Sequence, residues 1–200
     1  MGDRKYISNL QLPISNFHQV LSPFPFRLCG RLPAMRPRIL VIFFLIATSC
    51  YATTVQRLGL EELVKKANTI VVGRVTNSRT YWNSNRKLIF TNYTIQVDES
   101  IKGQPGGSIE VTTIGGKIGD VELHVSGMPT FQNGENAVVF IEQSAGYQTV
   151  LGLGQGKFTV TNGEVTNSVG DLSFPDGRPG TATRMPLQTF KNQIRNILSR

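Results

Sequence analysis

The chain has 200 residues, with 21 basic and 13 acidic side chains and a formal net charge of +8 at pH 7. Six of the basic residues and one acidic residue fall within the first 52, which leaves 15 basic and 12 acidic residues, a net +3, for the rest. Those charges are scattered singly rather than gathered into a basic stripe, so nucleic acid is not an expected partner.

Residues 1–34 show no periodicity and read as an upstream extension, with translation starting at Met35, or else as a long or disordered leader that begins at Met1. Residues 35–52, "MRPRILVIFFLIATSCYA", place Arg36 and Arg38 before an apolar run from Ile39 to Ala47. That is the pattern of a bacterial signal peptide. Nine apolar residues fall short of the roughly 20 needed to span a hydrocarbon core. Cleavage after Ala52 is expected, which makes Thr53 the first residue of a secreted or periplasmic protein with no transmembrane span. A competing reading takes "ATSC" as a lipoprotein box and puts a lipid anchor on Cys50. Cys29 and Cys50 are the chain's two cysteines, so the domain expected over residues 53–200 has no disulfide and depends on its core.

Within that domain, "LGLEELVKKAN" (residues 58–68) places Leu60, Leu63, Val64 and Ala67 on one face of a short helix. Glu61 and Glu62 in the first turn and Lys65 and Lys66 in the last match the helix dipole. From Thr69 the period changes to two. "TIVVGRVTNSRTYW" reads as a buried strand that becomes exposed, "SNRK" as a turn, and "LIFTNYTIQVDESIKG" as an alternating strand. "SIEVTTI" and "VELHVS" alternate likewise, whereas "AVVFIE" is continuously apolar and is expected to be a central strand. "YQTVLGL" and "KFTVT" follow, and Asn162-Gly163 marks a tight hairpin into "EVTN". After a loop rich in glycine and proline, "PLQTFKNQIRNILSR" carries a stripe of Leu187, Phe190, Ile194, Ile197 and Leu198, with Pro186 at the first helical position. Many short strands separated by Gly, Asn and Pro turns point to a small barrel or sandwich.

The chemistry available to this domain is sparse. His124 is its one histidine, two positions from Ser126 on the solvent side of a strand, with no third group to orient it. One histidine and no cysteine do not make a zinc site, and no run resembles a calcium loop, so neither metal nor cofactor is expected. Asp98, Glu99, Glu110 and Glu122 lie on different strands, and a carboxylate pair is left open only as an alternative. "GLGQG" precedes a strand rather than a helix, which argues for a bulge or bend over a nucleotide loop. Tyr81 and Trp82, where a strand meets a polar turn, and Met128 and Pro129 in "SGMPTF" are candidate contact anchors.

The order of "LEELVKKANTIVVGRVTNSR", "YTIQVDESIKGQPGGSIEVTT", "FQNGENAVVFIEQ" and "YQTVLGLGQGKFTV" resembles a group of uncharacterised secreted bacterial proteins, over roughly residues 58–165. It resembles more distantly the netrin-like domain of tissue inhibitors of metalloproteinases. That second resemblance implies an OB-type barrel flanked by helices, and a free amino terminus directed at a protease zinc. This sequence has Thr53 where those inhibitors have a cysteine.

The resulting expectation is a mainly β protein. It would be a small OB-like β-barrel of about 6–8 short antiparallel strands, with a short N-terminal helix and a C-terminal amphipathic helix. Its expected role is that of an exported, non-catalytic binding module directed at a secreted or envelope protein such as a protease. The contact surface would comprise Thr53, Tyr81, Trp82, Gly115, Gly116, Met128 and Pro129. The alternatives are a structural or assembly component of the cell envelope and a hydrolase using dispersed carboxylates.

Overall fold

The computed structural model describes residues 55–200 other than Ser168, together with the backbone of Tyr6 and Ile7. Apart from Tyr6 and Ile7, which pair with Glu122 and Leu123, the expected leader lies outside the described residues, as do the signal peptide, the cleavage after Ala52, the Thr53 terminus and the Cys50 anchor.

Tyr6–Ile7 (β1) is a two-residue strand, and Leu60–Lys66 (α1) is the first helix. Helix α1 starts where Glu62 accepts a hydrogen bond from the Gly59 amide, which satisfies one of the free donors at its N-terminus. It ends where the Lys102 ammonium donates to the Val64 and Lys65 carbonyls, at 2.8 and 3.1 Å. A cation there also complements the negative end of the helix dipole.

The strands that follow are Thr69–Trp82 (β2), Ile89–Lys102 (β3), Ser108–Ile114 (β4), Gly116–Ile118 (β5), Val121–Leu123 (β6), Asn136–Ser144 (β7) and Tyr147–Val150 (β8). A short 3-10 turn at Leu153–Gly156 then leads into Lys157–Thr161 (β9), Glu164–Asn167 (β10) and Arg184–Pro186 (β11), and the chain closes with helix Leu187–Leu198 (α2). Pro186 is the residue before α2 rather than its first helical residue.

The main sheet runs in the order β11-β10-β9-β7-β2-β3-β4, with β8 also paired to β7. It overturns the expected OB-like β-barrel. No ladder among the described residues joins β4 to β8 or to β11, and the architecture is mixed α/β with an open eight-stranded sheet. The physical cause lies in β7. Closing a sheet requires an unbroken run of ladders around it, but the outer edge of β7 divides. Residues Ala137 to Val139 pair with β9, and Ile141 to Ser144 pair with β8. The sheet therefore forks at β7, and although β8 comes close to β4, no ladder among the described residues joins the two to close a cylinder.

The strands also depart from the short ones expected. Strands β2 and β3 are 14 residues each, paired through three register shifts. The polar stretch 76–80 resembles the end of a strand in sequence, yet its backbone stays in the ladder because β3 supplies partners, whatever the side chains do. "VELHVS" is shorter than its alternation suggests: β6 ends at Leu123, and His124 stands exposed beyond it.

Two cores result, one on each face. Alternate residues of β7 serve both: Val138 and Phe140 join Leu63, Val64, Phe158, Phe190 and Ile194 beneath the helices. Ala137, Val139 and Ile141 join Val71, Val75, Tyr93, Ile95 and Val111 on the opposite side. Helix α2 is also clamped by charge, since Glu99 accepts from Lys191 at 2.5 Å and from Arg195. Burial works against ionisation of Glu99, but these two cations outweigh it and hold the carboxyl below its usual range. No helix among the described residues is long and apolar enough to cross a membrane.

Candidate functional site

The β2–β3 hairpin end gathers aromatic, cationic and turn residues at one place. Register sets Tyr81 opposite Phe90, and Phe90 opposite Ile114 of β4. Period-two alternation then places Arg79, Tyr81, Phe90 and Asn92 on one face. The Tyr81 and Phe90 rings lie 6.0 Å apart with planes 29° from parallel, and Phe90 and Tyr147 lie 5.4 Å apart at 26°. Offset rings of this kind stabilise one another beyond simple burial. Tyr147 is contributed by β8 immediately after the Ala145-Gly146 turn, and the residue is 42% exposed. Trp82 is next to Tyr81 and half-buried.

Local hydrogen bonds hold this end rigid. Asn83 Oδ1 accepts from the Lys87 and Leu88 amides, at 2.8 and 3.0 Å, which closes the turn on its own side chain. On the other face, Thr91 Oγ1 donates to the Gly115 carbonyl at 2.7 Å and lies 3.3 Å from Thr80 Oγ1. Gly116 closes over this pair with φ of +130°. A Cβ there would sit 2.5 Å from Thr91 Oγ1 and 2.8 Å from Thr80 Cγ2. Replacing Gly116 with alanine is expected to cost about 1–3 kcal/mol through this clash and the strained φ. Urea unfolding would measure it, and a loss under about 0.5 kcal/mol would mean that the segment relaxes freely.

The structure thus brings Tyr81, Trp82, Gly115 and Gly116 to one end of the sheet. Met128 and Pro129 lie elsewhere. Their segment is held against the 3-10 turn, where Gly154 N–H donates to the Gly127 carbonyl at 2.9 Å, and Pro129 is buried. Phe90 and Tyr147 were not singled out from sequence. Pairing "TYW" with "LIF" across the "SNRK" turn would have found Phe90. Tyr147 required knowing that β8 approaches the β3 end.

A concavity of about 450 Å³ opens away from that end, beside α1 and α2, with Leu63, Phe158 and Phe190 among its lining and Gln155, Asn167 and Gln193 supplying polar groups. The buried Gln155 amide is committed to the fold. Its oxygen accepts from Leu58 N–H, and its nitrogen donates to the Gln56 and Gly152 carbonyls.

Acids and the histidine do not converge. Glu99 is held by α2, Glu110 accepts from Asn92 Nδ2 at 2.9 Å, and Glu122 belongs to the separate β5–β6 pairing. Ser126 Oγ donates to the Asp171 carbonyl at 3.1 Å. Burial raises the Glu142 carboxyl above its ordinary range, against a hydrogen bond from the Gly152 amide and the charge of Lys66. No group of three His, Cys, Asp or Glu side chains among the described residues is placed to hold a metal ion.

No protein-family model matches the chain, and no curated protein is significantly similar to it.

Proposed function

We propose that the chain is an exported, non-catalytic binding module whose contact surface is the aromatic end of β2 and β3. The observation that carries this reading is the row of Tyr81, Phe90 and Tyr147 on a hairpin end braced by Asn83, Thr91 and Gly116, with Trp82 next in the chain on the opposite face of the strand. Aromatic side chains held rigid and partly exposed offer large contact area at low entropic cost, which is why they anchor interfaces. Export rests on the charged and apolar pattern of residues 35–52. The inhibitor-like mode implied by the distant resemblance required a free terminus near Thr53 and a closed barrel. The first lies outside the described residues and the second is absent, so neither supports a protease target.

Trp82 is the sole tryptophan of the chain and adjoins Tyr81, so its emission reports on changes at this hairpin end. Titration with candidate ligands is expected to give a saturable change in its emission, and Tyr147→Ala is expected to weaken that binding. A ligand that binds with Trp82 silent, and equally well to the Tyr147→Ala protein, would place the contact surface elsewhere.

A further inference from the structure

We infer that the partner of this surface is an acidic polysaccharide, an inference that rests on the reading of the aromatic end as the contact site. Residues 79–90, "RTYWNSNRKLIF", contain three cations and no acid. Arg79, Arg86 and Lys87 are all exposed, and none takes part in an ion pair among the described residues. Elsewhere several cations are paired, Arg57 with Asp176, Lys157 with Glu135 and Arg184 with Glu164, while others outside these ion pairs, such as Arg74, Lys117 and Arg178, stand singly along the chain. A local excess of unpaired positive charge therefore coincides with the aromatic row.

Each half of that surface has its own chemistry. The face of an aromatic ring is negative, and the axial C–H bonds of a pyranose present a weakly positive apolar face that lies flat against it. Tyr81 and Phe90 are partly exposed and Tyr147 is 42% exposed, which leaves ring surface for such a contact. Arg79 supplies a planar fork suited to a carboxylate or sulfate on the same face, two positions from Tyr81, and Arg86 and Lys87 add charge from the turn. The turn itself, "NSN", offers amide and hydroxyl groups suited to sugar hydroxyls.

Other polyanions fit less well. A bilayer surface would call for apolar side chains projecting from the hairpin tip. The exposed large apolar residues among those described are Tyr147 and Leu198, and neither is at the tip. Single-stranded nucleic acid is bound along a basic groove that tracks successive phosphates, whereas here the cations number three. Glu110 stands on the neighbouring strand, accepting from Asn92, and would repel a densely charged backbone more than a polymer with an anion only on some residues.

The test uses the full chain and follows Trp82 emission during titration with polygalacturonate, neutral dextran, a single-stranded oligonucleotide and anionic phospholipid vesicles. The expected result is saturable binding of polygalacturonate and none of dextran, with affinity falling as salt rises. The triple variant R79Q/R86Q/K87Q is expected to bind at least about tenfold more weakly; its changes are exposed, and unfolding curves would verify that it is folded. Equal binding of dextran, preference for the oligonucleotide or vesicles, or unchanged affinity in the triple variant would each overturn the acidic-polysaccharide assignment. The wider reading fails separately: if polygalacturonate binds and Tyr147→Ala changes neither the affinity nor the Trp82 signal, the aromatic end is not the contact surface, and both fall.

Discussion

Phe190→Ala is expected to destabilise the domain by about 3–5 kcal/mol. Phe190 is 1% exposed, and its ring lies 4.5 Å from that of Phe158 and 6.2 Å from that of Phe140. These three rings join α2 to β7 and β9, so truncation removes the transfer free energy of the side chain and leaves a void that the sheet cannot fill without leaving its ladders. Ile194 and the Glu99 clamp would still hold α2 in place, which is why a weakened fold is expected rather than a detached helix. Denaturant unfolding would show a lower midpoint with an unchanged slope. Phe190→Leu retains most of the volume and should cost less than about 1.5 kcal/mol. A loss below about 1 kcal/mol for the alanine variant would show that α2 is not integral to the core.

The second large effect concerns Glu135. Its carboxylate accepts from Lys157 at 2.7 Å, from Thr159 Oγ1 at 2.6 Å and from the Gln132 amide at 2.9 Å, with the two charged side chains only 11% and 15% exposed. Burial opposes ionisation, yet these hydrogen bonds and the Lys157 charge outweigh it and hold the carboxyl below its usual range. Glu135→Ala would leave Lys157 with the Thr130 carbonyl and the Phe131 ring, 4.6 Å away. The expected loss is therefore about 2–3 kcal/mol, less than the 3–5 kcal/mol of a fully buried pair broken on one side.

A depressed folded-state pKa contributes stability that is present above the unfolded value and disappears as pH falls through the folded one. The gap between wild type and Glu135→Gln should accordingly be widest near neutrality. It should shrink as pH drops below about 4.3, the ordinary glutamate value. A gap that stays constant, or grows, on acidification would refute the ion pair's role.

The turn in front of Glu135 could be read from "QNGEN", whose Gly134 has a φ of +84°, but the partner Lys157 could not, since the two meet only through the β7–β9 pairing. The same division between local and non-local runs through the rest of the fold. Helix α2 announces itself because Phe190 and Ile194 recur at helical spacing, and the Asn162-Gly163 hairpin because both residues take positive φ, +51° and +78°. The fork at β7 depends on which of two later strands occupies each half of one edge, and "AVVFIE" carries no mark of that. At the site, Tyr81, Trp82, Gly115 and Gly116 were visible as anchors and turn residues in the chain. That they share an end with Tyr147 follows only from the way β8 leaves β7.

The position of β7 also governs how the chain can reach its native state. Its partners on one side are in β2, Thr69 with Ile141 and Arg74 with Asn136, and on the other in β9, Val139 with Lys157. The hairpins β2–β3 and β9–β10 can zip up locally, but β7 can dock on β2 only after the whole of β3 to β6 has been looped out. Such long-range pairing raises contact order and slows folding. Because alternate β7 side chains enter different cores, a one-residue slip on docking would misplace both sets at once. The slow step should therefore be the seating of β7, and substitutions at Val138 and Val139 should slow refolding more than substitutions in either hairpin.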